Sequence, residues 1–158
     1  MNELSLRNRQ RLRAVHLPLL RRIVGTLLAE LLPTPRFELG IFLVNATEMA
    51  RLNQQFLQQA GPTDVITFDY ADASPDAQLH GDLFVCVEEA IRQARQFRTT
   101  WQAELVRYIV HGILHLQGYD DAAPSRRRVM KREEDRLLRR LAARFRLSAL
   151  GGKARVGA

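Results

Sequence analysis

The chain has 158 residues, of which 46% are hydrophobic and 26% charged, so it is typical of one globular domain and is not a disordered chain. Lys and Arg number 24 against 17 Asp and Glu, which gives a net charge of +7. This balance favours a polyanionic partner such as nucleic acid, although nearly all the basic residues are arginine, which codon bias also produces. Cys86 is the single cysteine, which excludes an intramolecular disulfide and favours a reducing, cytoplasmic compartment.

Hydrophobic periodicity divides the first half of the chain into short elements without internal repeats. We predict strands at residues 4–8 and 37–45 and helices at residues 17–32 and 47–59. Arg21 and Arg22 interrupt the 17–32 segment, so it lacks the uninterrupted apolar core of a signal peptide and the length of a membrane span. It therefore predicts an amphipathic surface helix and no membrane association.

The second half predicts two strands, DVITFDY and GDLFVCV, joined by a polar loop over residues 71–80. Helices follow at residues 88–97, from Thr100 or Trp101 onward, and at residues 125–145. The last helix is rich in arginine, and its predicted apolar stripe is Val129, Leu137, Leu138 and Leu141. The sequence from Ser148 lacks periodicity, which predicts one domain over residues 1–147 and a flexible tail over residues 148–158.

The run HGILHLQGYDD carries the most specific chemical signal in the chain. His111 and His115 are four residues apart, so on a helix both imidazoles lie on one face. Gly118 is able to end that helix in a left-handed conformation and return Asp121 toward the same point. Three protein ligands with a free fourth position are typical of a catalytic metal site. The alternative is a pair of partly buried polar residues, but the surrounding helix is apolar nearly all round, and buried imidazoles need partners.

Four successive blocks resemble the YbeY family of metal-dependent endoribonucleases, bacterial proteins associated with ribosomal RNA maturation and ribosome quality control. The blocks are LNQQF, PTDVITF, HGDLFVC and HGILHLQGYDD. The resemblance implies an α+β fold in which a small mixed four-stranded sheet packs with about five helices, the metal-binding helix being central. It also implies a cytoplasmic endoribonuclease that acts on single strands of ribosomal RNA and associates with ribosomal subunits, not with DNA. The implied cofactor is one zinc ion per chain, with iron, manganese or nickel as alternatives.

Two positions depart from the family pattern. Asp121 stands where the family usually has a third histidine ligand, and Leu57 falls where it usually has an arginine. A carboxylate coordinates zinc at about the distance of an imidazole, but it lowers the charge of the site and makes bound water less acidic. A His-His-Asp set also resembles the facial triad that takes Fe(II). Loss of the arginine removes a planar guanidinium that would bind phosphate.

Arg107 is the candidate catalytic residue. It lies one turn before His111 on the same helical stripe, so it is able to approach the ion or a bound phosphate. The alternatives are that its side chain extends to solvent or pairs with Glu104 or Asp135.

Four further residues are candidates for support of the ligands. Thr63 and Asp64 fall in the PTDV block, where an aspartate caps a turn or orients a neighbour more often than it performs chemistry. Asp120 and Gly118 are the candidate supports of the third ligand. His80 is predicted to be a loop residue and not a ligand.

Three functions remain open on the sequence. The first is an RNA hydrolase in which a basic surface holds the backbone near the ion. The second is a zinc metallopeptidase, but peptidases with this spacing carry glutamate directly after the first histidine, where this chain has Gly112. The third is a catalytically weakened or non-catalytic, zinc-stabilised ribosome-assembly protein, which Leu57 favours.

Overall fold

The computed structural model describes residues 2–71 and 77–151, and a mixed four-stranded sheet runs through the middle of this part of the chain. Strand β1 (Glu3–Asn8) lies at one edge and pairs in parallel with β2 (Phe37–Val44). Strand β3 (Val65–Asp69) lies at the other edge and pairs antiparallel with β4 (Leu79–Cys86), which also pairs in parallel with β2. The strand order is therefore β1-β2-β4-β3.

Helices occupy most of the remaining described chain. The five α-helices are α1 (Leu17–Thr26), α2 (Ala46–Leu52), α3 (Val87–Phe97), α4 (Trp101–Leu116) and α5 (Pro124–Arg144). Turns of π-helix extend α1 over Leu27–Leu31 and α2 over Asn53–Leu57, and a 3-10 turn over Leu147–Leu150 follows α5. None of these helices combines the length and the apolar character that a bilayer span requires. The predicted α+β class, with a small mixed sheet and about five helices, is confirmed.

The sheet separates a large apolar core from a smaller one, because strand side chains alternate between its two faces. Ile41 and Leu83 point into the large core, which α1, α4 and α5 complete. On the opposite face, Cys86 packs with Met49 of α2 and with the partly buried ring of Phe42.

Helix α4 lies directly on the sheet because two glycines remove side chains from the contact. A Cβ atom at Gly112 would lie 2.7 Å from Cδ2 of Leu83. A Cβ atom at Gly81 would lie 2.8 Å from Cδ2 of Leu116 and 2.6 Å from the carbonyl oxygen of Phe68. The helix also packs against α3, α5 and the 3-10 turn, so it has the central position that the family resemblance implies.

Two predicted boundaries are wrong for identifiable reasons. The second helix begins at Ala46 and not at residue 47, because the side-chain oxygen of Asn45 caps it by accepting a hydrogen bond from the Glu48 N–H at 2.9 Å. His80 lies in β4 and not in the predicted 71–80 loop, because its carbonyl accepts a hydrogen bond from the Tyr70 N–H at 2.8 Å and lengthens the β3–β4 ladder. Residues 72–76 of that loop lie outside the described residues.

Two predictions about the C-terminal part also need correction. Val129 is 52% exposed and does not belong to the apolar stripe of α5, where Met130 is buried instead at 2% exposure. The predicted tail does not begin at Ser148, because Leu150 is fully buried and its carbonyl accepts a hydrogen bond from the His16 N–H at 2.7 Å. Residues 152–158 lie outside the described residues, and the single domain over residues 1–147 stays a prediction.

Candidate metal centre

The C-terminal half of α4 and the loop after it present the candidate metal ligands. The hydroxyl of Thr100 caps the start of this helix by accepting a hydrogen bond from the Ala103 N–H at 3.2 Å. Past the end of the helix, Gly118 has a φ of 101°, in the left-handed region that favours glycine. This reversal of the chain brings Asp121 back beside His115, the arrangement that the spacing predicts.

The side chains of His111, His115 and Asp121 converge at one point. Each offers one ligand atom, and the three atoms lie within 4.8 Å of one another. The Nε2 atoms of the two histidines are 3.1 Å apart, and Nε2 of His115 lies 3.8 Å from Oδ2 of Asp121. Two nitrogens on one tetrahedral zinc ion would be about 3.3 Å apart. The group therefore fits a divalent ion, and the exposed fraction of the Asp121 side chain, 50%, leaves one side of the site open to solvent.

Glu134 of α5 fixes the orientation of His111. The Nδ1–H of His111 donates to Oε2 of Glu134 at 2.8 Å, which leaves the Nε2 lone pair facing His115. Burial lowers the pKa of His111, but the adjacent Glu134 carboxylate outweighs burial and the net pKa is raised. Burial and the neighbouring His111 lower the pKa of His115, which favours the neutral imidazole that metal binding requires.

The carboxylate of Glu134 is 5% exposed, so it needs partners in addition to the imidazole. Nη1 of Arg107 donates to Oε1 of Glu134 at 2.8 Å and to Oδ1 of Asp135 at 2.9 Å. Burial raises the pKa of Glu134, but the hydrogen bonds and charges of His111 and Arg107 outweigh burial and hold the pKa below its usual range. Arg107 therefore forms the ion pair with Asp135 that the sequence leaves open, and it orients Glu134 behind His111.

Asp120 and two arginines of α5 hold the loop that carries Asp121. Oδ1 of Asp120 accepts a hydrogen bond from the Ala122 N–H at 3.1 Å, and its Oδ2 accepts one from Nη1 of Arg126 at 3.1 Å. Nε of Arg127 donates a long hydrogen bond, 3.4 Å, to the carbonyl oxygen of Asp121. These contacts connect the ligand loop to the first turns of α5.

Thr63 and Asp64 lie immediately before β3. Oδ1 of Asp64 accepts hydrogen bonds from the Val65 N–H at 2.7 Å and from the Thr63 hydroxyl at 3.4 Å. The Asp64 charge also contributes to the raised pKa of His111, so this residue influences the site without belonging to the ligand group. Leu57 is 47% exposed in the π-helical turn after α2 and supplies no charge there.

Glu134 is the site residue that the motifs of the sequence do not identify. Its partner His111 lies 23 positions earlier, so the contact depends on how α5 crosses α4. A local signal nevertheless exists, because Glu134 lies on the same buried stripe of α5 as Met130, Leu137 and Leu141. A carboxylate on such a stripe requires a partner, and the two histidines are the natural candidates.

Comparisons with known proteins identify the family of this chain. The family described as Endoribonuclease YbeY matches residues 6–142, and the chain belongs to this family. A relative of that name from Bacteroides fragilis is 38% identical over 101 residues, which cover 64% of this chain and 70% of the relative. Another, from a Nocardioides species, is 40% identical over 111 residues, which cover 66% of this chain and 74% of the relative. The resemblance inferred from the four sequence blocks is confirmed.

A solved structure shares the fold. The solution structure of a protein from Thermotoga maritima is 26% identical in sequence and superposes with a TM-score of 0.67. The superposition covers 90% of this chain and 91% of that chain, so the likeness extends over almost all of both molecules.

Proposed function

We propose that His111, His115 and Asp121 hold one divalent metal ion and that the protein is a metal-dependent endoribonuclease of ribosomal RNA maturation. The observation that carries the proposal is the convergence of three ligand atoms within 4.8 Å in a chain that the endoribonuclease family matches over residues 6–142. When bound, a divalent ion supplies Lewis acidity toward phosphate oxygens and toward water.

The residues around the ligands have roles that follow from their contacts. Glu134 accepts the Nδ1 proton of His111 and keeps its Nε2 lone pair available. Arg107 neutralises Glu134 and holds it in place through one of its two ion pairs. Asp120 fixes the loop that presents the third ligand. All three are positioning residues, and the open side of the centre at Asp121 is where an RNA phosphate enters.

Zinc is the metal that we propose, with iron, manganese or nickel as alternatives. Two imidazole nitrogens and one carboxylate oxygen are ligands that zinc accepts in catalytic sites. The same set also suits Fe(II), because Asp121 completes a two-histidine, one-carboxylate triad. The proposed substrates and partners are ribosomal RNA and ribosomal subunits in the cytoplasm, with a role in ribosome quality control.

The metallopeptidase alternative lacks its general base. Gly112 occupies the position after the first histidine, and it faces the sheet, not the ligands. A glutamate there would have to displace the buried side chain of Leu83. The described geometry therefore favours a phosphodiester substrate over a peptide.

The proposal is tested by measuring metal content and RNA cleavage together. We expect the parent protein to copurify with about one ion per chain and to cleave structured ribosomal RNA fragments until a chelator is added. His115→Ala should lose both the ion and the cleavage, because removal of one of three ligands greatly weakens affinity. His80→Ala is the matched control, since this histidine lies in β4 and is outside the ligand group.

Two outcomes separate the candidate functions. A His115→Ala protein that retains a stoichiometric ion and the parental thermal stability would show that the ligand assignment is wrong. A metal-loaded parent that binds ribosomal RNA without cleaving it would support the ribosome-assembly alternative, which the uncharged Leu57 favours.

A further inference from the structure

The first turns of α5 carry a concentration of positive charge beside the loop of the third ligand. Arg127, Arg128, Lys131 and Arg132 line an open groove of about 470 Å³, in which Asp135 is the one acidic residue. We propose that this surface, the α5 basic face, binds the phosphodiester backbone of the RNA strand whose neighbouring phosphate enters the metal centre. The inference rests on the proposed function and names the path of its substrate.

The helical register directs the edge of this face that carries Arg127 and Lys131 toward the site. Residues 127, 131, 134 and 135 follow the spacing of i, i+4, i+7 and i+8, so they lie on one side of α5. Arg128 and Arg132 lie on the adjoining side, about 100° and 140° around the helix from Arg127. Glu134 and Asp135 contact the ligand helix, since the first accepts a hydrogen bond from His111 and the second accepts one from Arg107. At the other end of the stripe, Arg127 donates to the carbonyl oxygen of the ligand residue Asp121. A strand that lies along this stripe therefore runs beside the ligands.

The positive charges of the α5 basic face are available to bind RNA phosphates. Six of the described arginines pair with a carboxylate, among them Arg92 with Glu89, Arg136 with Glu133 and Arg144 with Glu30. Among the described residues, by contrast, neither Arg128 nor Arg132 has a carboxylate within 4.0 Å, and both are exposed. Lys131 is 59% exposed and shares Asp135 with Arg107.

The chemistry of the face matches a phosphodiester chain more closely than an isolated anion. Four cations follow the helix over about one and a half turns, which is a span of about 7.5 Å, close to the separation of adjacent phosphates in an extended strand. Guanidinium groups bind phosphate oxygens in a bidentate manner. The face thereby supplies phosphate contacts that Leu57 lacks, and it leaves Arg107 engaged with Glu134 and Asp135 through Nη1.

The test compares two double substitutions on the same helix. Arg128→Gln with Arg132→Gln removes two exposed charges from the face, and neither side chain makes a hydrogen bond or ion pair within the described chain. Arg139→Gln with Arg140→Gln is the matched control, with the same change of charge on exposed residues farther along α5. Arg139 lies about 10 Å beyond Arg132 along the helix axis, which is about one Debye length at 0.1 M salt.

The measurement is the affinity of each full-length, metal-loaded protein for a labelled single-stranded RNA at several salt concentrations. Each phosphate contact contributes about 0.7 to the slope of log affinity against log salt, so loss of two contacts should lower the slope by about 1.4 and the affinity about 25-fold at 0.1 M salt. The control should keep the parental slope. In cleavage assays the face variant should show a raised KM with kcat unchanged, because backbone contacts bind the ground state and transition state alike.

The outcomes distinguish this inference from the proposed function. Equal losses of affinity in both double variants, or no loss in either, would overturn the α5 basic face even where the parent cleaves RNA. A parent that never cleaves RNA, together with a selective loss of RNA affinity in the face variant, would contradict the proposed activity and support the face. Metal content is measured in every variant, and the same stoichiometry as the parent is expected, because neither substituted pair touches a ligand.

Discussion

The orientation of His111 depends on one buried carboxylate. An ionised Glu134 is stable at 5% exposure only because the imidazole of His111 and the guanidinium of Arg107 are both within hydrogen-bond distance. A carboxylate that accepts a hydrogen bond from the ring nitrogen not used for the metal fixes the orientation of the imidazole and makes it a more basic ligand. Glu134 should therefore influence metal affinity although it is not a ligand.

We expect Glu134→Gln to weaken metal affinity by about 10- to 100-fold, because the amide keeps the shape of the side chain but loses its charge. Competition against a chelator of known affinity measures the change. Glu133→Gln is the matched control, since this neighbouring carboxylate accepts a hydrogen bond from Arg136 and does not contact His111. Equal losses in the two variants would contradict a specific role for Glu134.

Cys86 should be unreactive in the folded protein. Burial raises the pKa of its thiol to about 11, and the side chain is fully buried beneath α2. At pH 8 only about one thiol in a thousand would then be ionised, against about a quarter for an ordinary cysteine. We expect iodoacetamide to modify the native protein more than about 100-fold more slowly than the same protein in denaturant. Similar rates in the two conditions would show that the thiol is accessible.

For single residues, the sequence predicts the contacts that depend on local spacing along the chain. The convergence of His111, His115 and Asp121 follows from helical spacing and one glycine turn, so all three could be identified without coordinates. For Arg107 the sequence offers Asp135 only as one of two alternatives and does not identify Glu134, because both become its neighbours only when α5 crosses α4. Long-range pairing of charges is decided by helix packing, which periodicity does not encode.

The contact between α4 and β4 holds the ligand helix in place, and it depends on small residues. Gly81→Ala would place a Cβ atom 2.6 Å from the backbone carbonyl of Phe68, which cannot move without disturbing the β3–β4 ladder. We expect this substitution to lower the free energy of unfolding by about 1–3 kcal/mol. Urea denaturation measures the change.

Substitution of glycine by alanine at Gly25 provides the control. Gly25 lies inside α1, and apart from its chain neighbours and the backbone of its own helix no atom lies within 4 Å of the position of a Cβ. Alanine is favoured over glycine in a helix, so Gly25→Ala should raise the free energy of unfolding by about 0.5–1 kcal/mol. If Gly81→Ala were as stable as the parent, α4 would not depend on this close approach.

The type of each helix or strand follows from the sequence more directly than the residues at which it begins and ends. The strands and helices follow from period and composition, because each buries one side against the core. The start of α2 depends on the side chain of Asn45, which forms the cap in place of Thr47. The ordered turn at Leu150 depends on contacts with α1 and α4, so the local sequence SALGG is typical of a tail although Leu150 and Gly151 are buried.

In the whole molecule, the positive charge is distributed over the surface, whereas the candidate metal centre is local. The net charge of +7 comes from arginines distributed over the N-terminal segment, α3 and α5, whereas the candidate centre is a single point at the end of α4. Affinity for an RNA backbone increases with the number of phosphates that are neutralised. Binding of RNA and binding of metal should therefore be separable.

We expect RNA association to survive loss of a ligand. In His111→Ala the ion is lost, and with it about one phosphate contact, so affinity at 0.1 M salt should fall by no more than about fivefold while binding still weakens steeply with salt. Titration of labelled ribosomal RNA against the parent and His111→Ala over a range of salt measures both quantities, and circular dichroism shows whether the variant is folded. Complete loss of binding in a folded His111→Ala protein, or binding that does not respond to salt, would mean that the arginines are only a solvated surface. That result would favour a substrate other than RNA, such as a peptide, because a phosphate backbone held by many charges must respond to salt.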